Sequence, residues 1–126
     1  MIDLPRLTIH IDRSMLLTAN QRLHWRAKAE RTASLRALTT AIAGRGWKPA
    51  TELVRCVVHI GYPDNRRRDV HNLMPTVKAC IDGLVDAGFL TDDSDKYLQG
   101  PDLRPIDERC ARGMACSLTF DFEPAL

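Results

Sequence analysis

No stretch of this chain approaches the ~18 consecutive apolar residues that a membrane-spanning helix needs. Its first residues, Met1 to Arg13, already alternate like a strand and do not form the basic-then-apolar pattern of a leader. The expectation is a cytoplasmic protein without membrane attachment. Paired cysteine motifs are missing: the four cysteines, Cys56, Cys80, Cys110 and Cys116, form neither a C-x-x-C pair nor a zinc-ligand rhythm. Reduced, mostly buried thiols are the default reading. No long Gly/Ser-rich or charged linker, internal repeat or low-complexity segment divides the 126 residues, which predicts a single domain over 1–126. A domain of that size buries only about two-thirds of its unfolded surface. A large partner is then met across a surface cleft, and by more than one subunit.

A large excess of one charge is also missing, since the formal net charge is only +2. Distribution says more than the sum. Arg22, Arg26, Lys28, Arg31 and Arg36 stand against Glu30 alone, and Arg66-Arg67-Arg68 forms a second basic block. The acidic residues gather chiefly from Asp82 to Asp95 and in the tail. A protein that approaches phosphates while holding a cation needs this segregation of sign. Arg22, Arg26, Lys28, Arg66, Arg67 and Arg68 are therefore candidate DNA-phosphate contacts, which set affinity and its salt dependence rather than base preference.

Periodicity supplies the elements. Residues 7–11 alternate and are rich in β-branched side chains, as in a half-buried strand. Over about 22–43, apolar or small residues recur at Leu23, Ala27, Leu35, Leu38, Ala41 and Ile42, which reads as an amphipathic helix stopped by Gly44 and Gly46. Residues 53–62 read as a second strand ending at the turn Pro63-Asp64-Asn65. A second helix follows, with Leu73, Met74, Val77, Ile81, Leu84 and Val85 at i, i+3, i+4 spacing and Gly88 as its C-terminal cap. Pro75 is tolerated only in the first turn, so Asn72 becomes the expected N-cap, with Asp69 and His71 just ahead of it. First-turn amides favour an anion in that space. Residues 96–99 suggest a short strand, 100–112 a loop, and 114–122 a last strand. The expected fold is α+β, a two-layer mixed sheet of about four strands with two main helices in the order β-α-β-α-β-β.

Hydrolysing a phosphodiester at neutral pH needs a cation that neutralises developing charge and lowers the pKa of an attacking water. Mg²⁺ takes one or two carboxylates and keeps several waters. Asp69 before the second helix and Asp92 and Asp93 beyond it are suitable ligands, if loop geometry brings both ends of the helix into one cleft.

Arg66-Arg67-Arg68-Asp69-Val70-His71-Asn72-Leu73, then Lys78-Ala79-Cys80-Ile81-Asp82-Gly83-Leu84, then Ala87-Gly88-Phe89-Leu90-Thr91-Asp92-Asp93, resembles the signature of the RusA family of Holliday-junction resolvases. That signature has a basic run, Asp-x-Asp-Asn, a Lys four residues before an Asp, and a closing Asp-Asp. The segment from Thr18 to Trp25 is also similar to the family's N-terminal loop. The resemblance implies a homodimer that binds four-way DNA junctions and makes paired, symmetric, Mg²⁺-dependent nicks. Asp69 and Asp93 match metal-binding carboxylates, Asp92 their neighbour, and Lys78 the essential helix lysine. Asp69, Lys78 and Asp93 are then catalytic candidates, and Asp69, His71, Asp92 and Asp93 metal candidates. A lysine there contacts the scissile phosphate, stabilises charge in the transition state or positions water, three roles left open.

The chain departs from the pattern twice. His71 stands where the family has its second aspartate, and a softer nitrogen ligand suits Mn²⁺ or Zn²⁺ better than Mg²⁺. Asp69 to Lys78 is also longer by roughly one helical turn, with Pro75 in the extra stretch.

Each feature has a plainer alternative. Asp92 to Asp95 fits a solvated turn, Asp69 a cap or local charge partner, His71 a residue that orients Asp69, and Lys78 with Asp82 a surface ion pair. His10, His24 and His59 read as structural or phosphate-adjacent. Trp25 fits burial against the sheet better than stacking on an unpaired base. The alternatives in function are a branched-DNA-binding module with weakened or lost catalysis and a flap or fork nuclease.

Overall fold

The computed structural model describes residues 4–126. Met1, Ile2 and Asp3, part of the alternating N-terminal stretch read above, lie outside the described residues. The elements are β1 (Leu7–Ile11), α1 (Trp25–Ala43), β2 (Val54–Gly61), α2 (Met74–Asp86), β3 (Leu98–Pro105) and β4 (Cys116–Pro124). Single 3-10 turns occur at Arg13–Met15 and Val70–Leu73. The order β-α-β-α-β-β and the α+β class are as the periodicity predicts. The four-stranded sheet runs β1-β4-β2-β3; β2 and β3 are parallel and the other pairs antiparallel.

Alternation decides which face of the sheet is covered. Along β2, Val54, Cys56, Val58 and Ile60 are fully or nearly fully buried, while Arg55 and His59 point to the opposite, polar face. Ile9 and Ile11 of β1 and Leu118, Phe120 and Phe122 of β4 complete the apolar side. The opposite side carries charge: Arg55 is paired with Asp102 and Glu123, and His59 Nε2 lies 3.8 Å from Asp121.

Helix α2 is buried almost all round, at Thr76, Val77, Ala79, Cys80, Ile81, Gly83 and Leu84. Gly83 explains how two helices share so little space. A Cβ there would lie 2.7 Å from the Arg36 carbonyl oxygen and 2.8 Å from Thr39 Cβ, so the backbones of α1 and α2 approach as only glycine permits. The seam is closed by polar groups with partners. Thr40 Oγ1 donates to the Gly83 carbonyl at 3.0 Å, and Arg36 grips Asp86 with two bonds of 2.9 and 2.8 Å.

Several expectations are corrected. Helix α1 begins at Trp25, where His24 Nδ1 accepts from the Arg26 amide, and it buries only Leu35, Thr39 and Ala43. Ala41 and Ile42, read as part of its apolar face, are exposed. The buried i, i+4, i+8 stripe includes Thr39 because its hydroxyl donates to the Leu35 carbonyl at 2.8 Å, removing the cost of an unpaired polar group. Trp25 is 67% exposed rather than packed on the sheet, since α1 meets the core only from Leu35 onward.

Asn72 does not cap α2. The helix starts at Met74 with Leu73 in the cap position and no side-chain cap bond. The preceding 3-10 turn takes over that function, with Asp69 as its cap. The third strand extends over Leu98–Pro105, through residues read as a loop. Proline is tolerated there because β3 is an edge strand, bonded to β2 alone. Gly100, at φ +103°, sits against the Cys56 carbonyl where the register shifts between Arg55 and Val57. The last strand, Cys116–Pro124, lies two residues further along than alternation suggests.

Candidate functional site

Two separate acidic groups flank the first half of α2. The first forms where the chain leaves β2. Asp64 accepts from the Arg66 amide at 3.0 Å and from Arg68 Nη1 at 2.6 Å, and the Arg68 guanidinium lies 4.7 Å from the centre of the Tyr62 ring. The hydrogen bond from Arg68 holds the Asp64 carboxyl down at about 2. Asp69 then begins the 3-10 turn: its Oδ1 accepts from the His71 amide at 3.0 Å and faces His71 Nδ1 at 3.2 Å. These bonds, the amide first, keep the Asp69 carboxyl below its ordinary value and hence ionised.

The basic block is thereby divided in its work. Arg68 clamps the turn. Arg66 Nη2 is 3.5 Å from Asp64 and largely exposed, and Arg67 takes part in no ion pair among the described residues.

The second group is assembled by a returning loop. After α2, Gly88 at φ +78° turns the chain, and buried Phe89 packs against Trp47 and Phe122 with ring centroids 5.2 and 5.3 Å apart. With Phe89 and Leu90 anchored, the next residues run back along the helix. Asp93 forms an ion pair with Lys78 in the second turn of α2, and Lys78 Nζ also lies 3.4 Å from Asp82 Oδ1. Asp92 Oδ1 accepts from the Asp93 amide at 2.9 Å. Asp93 thus returns to the first half of α2, the helix that follows the turn capped by Asp69.

Among the described residues, no group of three or more His, Cys, Asp or Glu side chains is gathered as a metal cage. The donors present still fit a magnesium-type ion, which needs one or two carboxylates and otherwise water. Asp69 and Asp93 supply oxygens of the right type. The Asp69 side chain is 65% exposed, leaving its outer face open to water ligands. His71 adds a ring nitrogen that favours Mn²⁺. Between Asp82 and Asp93 the balancing cation is the Lys78 ammonium itself.

Two of the other basic candidates lie close to the start of α2. Arg22 and Lys28 line a shallow cavity with Thr18 and Pro75, while the Arg26 guanidinium stacks 5.2 Å from the exposed Trp25 ring. His10 accepts from the Ala111 amide at 3.1 Å and His24 caps α1, so both serve the fold.

A cleft of about 810 Å³ opens at the end of the sheet where β1 and β2 finish and β4 begins. Arg66, Arg67, Arg68 and Asp69 line it together with three residues that sequence reasoning missed, Arg13, Thr18 and Tyr62. Arg13 and Thr18 arrive from the end of β1, and no local pattern couples them to the Arg66 block. Tyr62 carried one signal: an aromatic residue closing a strand just before a Pro-Asp turn. Its hydroxyl is buried and has no hydrogen-bond partner, and burial raises the phenol above its ordinary value against the opposing Arg68 charge.

All four cysteines are free and buried. Burial pushes Cys56 and Cys116 up to about 12 and Cys80 to about 11, which makes them inert thiols rather than nucleophiles. Compared with models of known protein families the chain matches none, and no curated protein matches it. No helix among the described residues is long and apolar enough to cross a membrane.

Proposed function

We propose that this protein is a structure-selective, divalent-metal-dependent endodeoxyribonuclease that resolves four-way DNA junctions by paired symmetric nicks. The observation that carries this reading is the return of Asp93 to Lys78. It brings a carboxylate and a lysine, distant in sequence, into contact on the first half of α2, the helix that follows the turn capped by Asp69.

In this reading Asp69 and Asp93 hold Mg²⁺ or Mn²⁺, with His71 and Asp92 beside them. When bound, the ion supplies charge neutralisation and lowers the pKa of an attacking water. The chain's own residues do the rest. Asp69 is kept ionised by His71 and is ready to act as a ligand without first losing a proton. Lys78 balances the Asp93 carboxylate and places a positive charge beside the site, suited to a phosphate oxygen that gains charge. Arg22, Arg26, Lys28, Arg66 and Arg67 approach the backbone phosphates, while Arg68 holds the turn that presents Asp69. Two-fold cleavage of a junction requires two equivalent sites, which a homodimer provides.

The test is incubation of purified protein with a synthetic four-way junction and Mg²⁺ or Mn²⁺. Paired nicks are expected, and Asp93→Asn abolishes them while junction binding persists. Absence of nicks in either metal from well-folded protein overturns the proposal. Light scattering under the same conditions tests the dimer, and a monomer that still cuts in pairs removes it. Substrate competition against flaps and forks ranks the alternative nuclease substrates.

The pairing of Asp93 with Lys78 also supports a second reading, a branched-DNA-binding module whose catalysis is weakened or lost. It predicts tight junction binding without product, and gain of cleavage in His71→Asp decides between the two.

A further inference from the structure

The cleft at the end of the sheet holds more than the Arg66 to Arg68 block that the sequence displays. Arg13 lines it from the end of β1, and neither Arg13 nor Arg67 takes part in an ion pair among the described residues. Arg68 differs: its guanidinium is committed to Asp64 at 2.6 Å and lies over the Tyr62 ring. Tyr62, which lines the same cleft, carries the one orphaned side-chain polar atom of the described residues, its hydroxyl, which is closed to solvent and bonded to nothing.

A buried hydroxyl without an acceptor costs free energy, and the fold does not remove that cost. The position of Tyr62 is itself well determined. Gly61 is pressed against the Glu108 carbonyl and Ser117 Oγ so closely that a Cβ would lie 2.6 Å from each, and the Cys110 amide bonds the Tyr62 carbonyl at 3.3 Å. The backbone that carries the ring is therefore fixed, and the fold gives its hydroxyl no partner. Two unpaired guanidinium groups lining one cleft with a neutral donor make a recognition set for a tetrahedral oxyanion.

Asp69 on the wall sets the limit on that anion. A small free anion meets repulsion from this carboxylate, whereas a phosphodiester spreads one charge over two oxygens and is held by neighbouring phosphates as well. We propose that the cleft is a seat for one backbone phosphate of a nucleic-acid strand, with Arg13 and Arg67 as its cations and the Tyr62 hydroxyl as its neutral donor. The acceptor reaches the hydroxyl through the side-chain shifts that ordinarily accompany binding. This deepens the nucleic-acid reading above and rests on it, but does not depend on hydrolysis.

The experiment measures binding of a short single-stranded oligodeoxynucleotide in EDTA, where no cleavage interferes, with its neutral methylphosphonate analogue as control. Expected results are loss of most affinity for the analogue and about tenfold weaker binding in Tyr62→Phe, as for a hydrogen bond to a charged group. The melting temperature of Tyr62→Phe is not lowered, because only an unsatisfied group is removed. Arg13→Ala weakens binding and reduces the salt slope by about 1. Both variants binding as tightly as the parent overturns the seat, and if the parent nicks junctions, the nuclease reading stands without it. Weakened binding in both variants of a protein that nicks nothing keeps the seat and removes the nuclease. A parent that fails to bind the oligonucleotide removes the seat.

Discussion

The Asp69–His71 group precedes α2 and the Lys78–Asp82–Asp93 group is built on it, yet their charges are balanced in opposite ways. Asp69 is solvated, kept ionised by local amide and imidazole bonds, and forms no ion pair with a lysine or arginine among the described residues. Asp93 is more enclosed, with 29% of its side chain exposed, and is neutralised by an ammonium. An exposed carboxylate gives an entering cation a ligand with little to displace. A paired carboxylate makes the cation compete with lysine, and in return keeps that lysine pointed at the site.

The comparison is tested most severely by removing each carboxylate. Asp69→Asn and Asp93→Asn are each expected to lower junction cleavage by more than about 100-fold, since loss of an outer-shell partner alone costs roughly 10–100-fold. Gel quantification of nicked product checks this, and a variant cutting at the parental rate removes that residue from the site. Lys78→Gln has effects of opposite sign on binding and rate. It frees Asp93, so Mn²⁺ binding by calorimetry strengthens, while cleavage falls about 100–1,000-fold. Thermal stability changes by less than about 1 kcal/mol, because the lysine is half exposed.

His71→Asp is expected to move the ratio of Mg²⁺- to Mn²⁺-supported cleavage about tenfold toward Mg²⁺, by replacing nitrogen with oxygen. An unchanged ratio takes His71 out of the ligand set and leaves it as the residue that orients Asp69. The smallest effect concerns acid. Asp64 has a folded value of about 2 against an ordinary 3.8. Its contribution is fully present above pH about 3.8, declines as pH falls through about 2, and adds no pH dependence near neutrality. Arg68→Ala returns the Asp64 titration toward its ordinary value in a carboxyl NMR titration. No movement there excludes Arg68 as the clamp of the turn.

Much of the fold was legible because it rests on local periodicity. Both helices, the first two strands and the last strand follow from apolar spacing, and Gly44 and Gly88 end helices where residues without a Cβ turn easily. The failures have physical causes of their own. The β3 strand was hidden because Gly100, Pro101 and Pro105 are breakers in an isolated chain, and only edge pairing to β2 makes them acceptable. Trp25 was misplaced because a large apolar ring is ordinarily buried, whereas the first fully buried residue of α1 comes ten residues later, at Leu35. In the candidate site, Asp69 and His71 were readable as a local turn, and Lys78 with Asp82 as neighbours on a helix. Arg13, Thr18 and Tyr62 were not, because they reach the cleft from segments that share no periodicity.

By itself the sequence determined both helices, three of the four strands, most of their apolar positions, and the local bonds of Asp64, Asp69 and Lys78, since these depend on residues only a few positions apart. Tertiary structure alone decided that Asp93 turns back to Lys78, that Gly83 admits the backbone of α1, and that Arg13 faces the same cleft as Arg67. The reason is burial: Phe89 and Leu90 anchor the returning loop in a core shared by both helices and the sheet. That core exists only once all of them have packed.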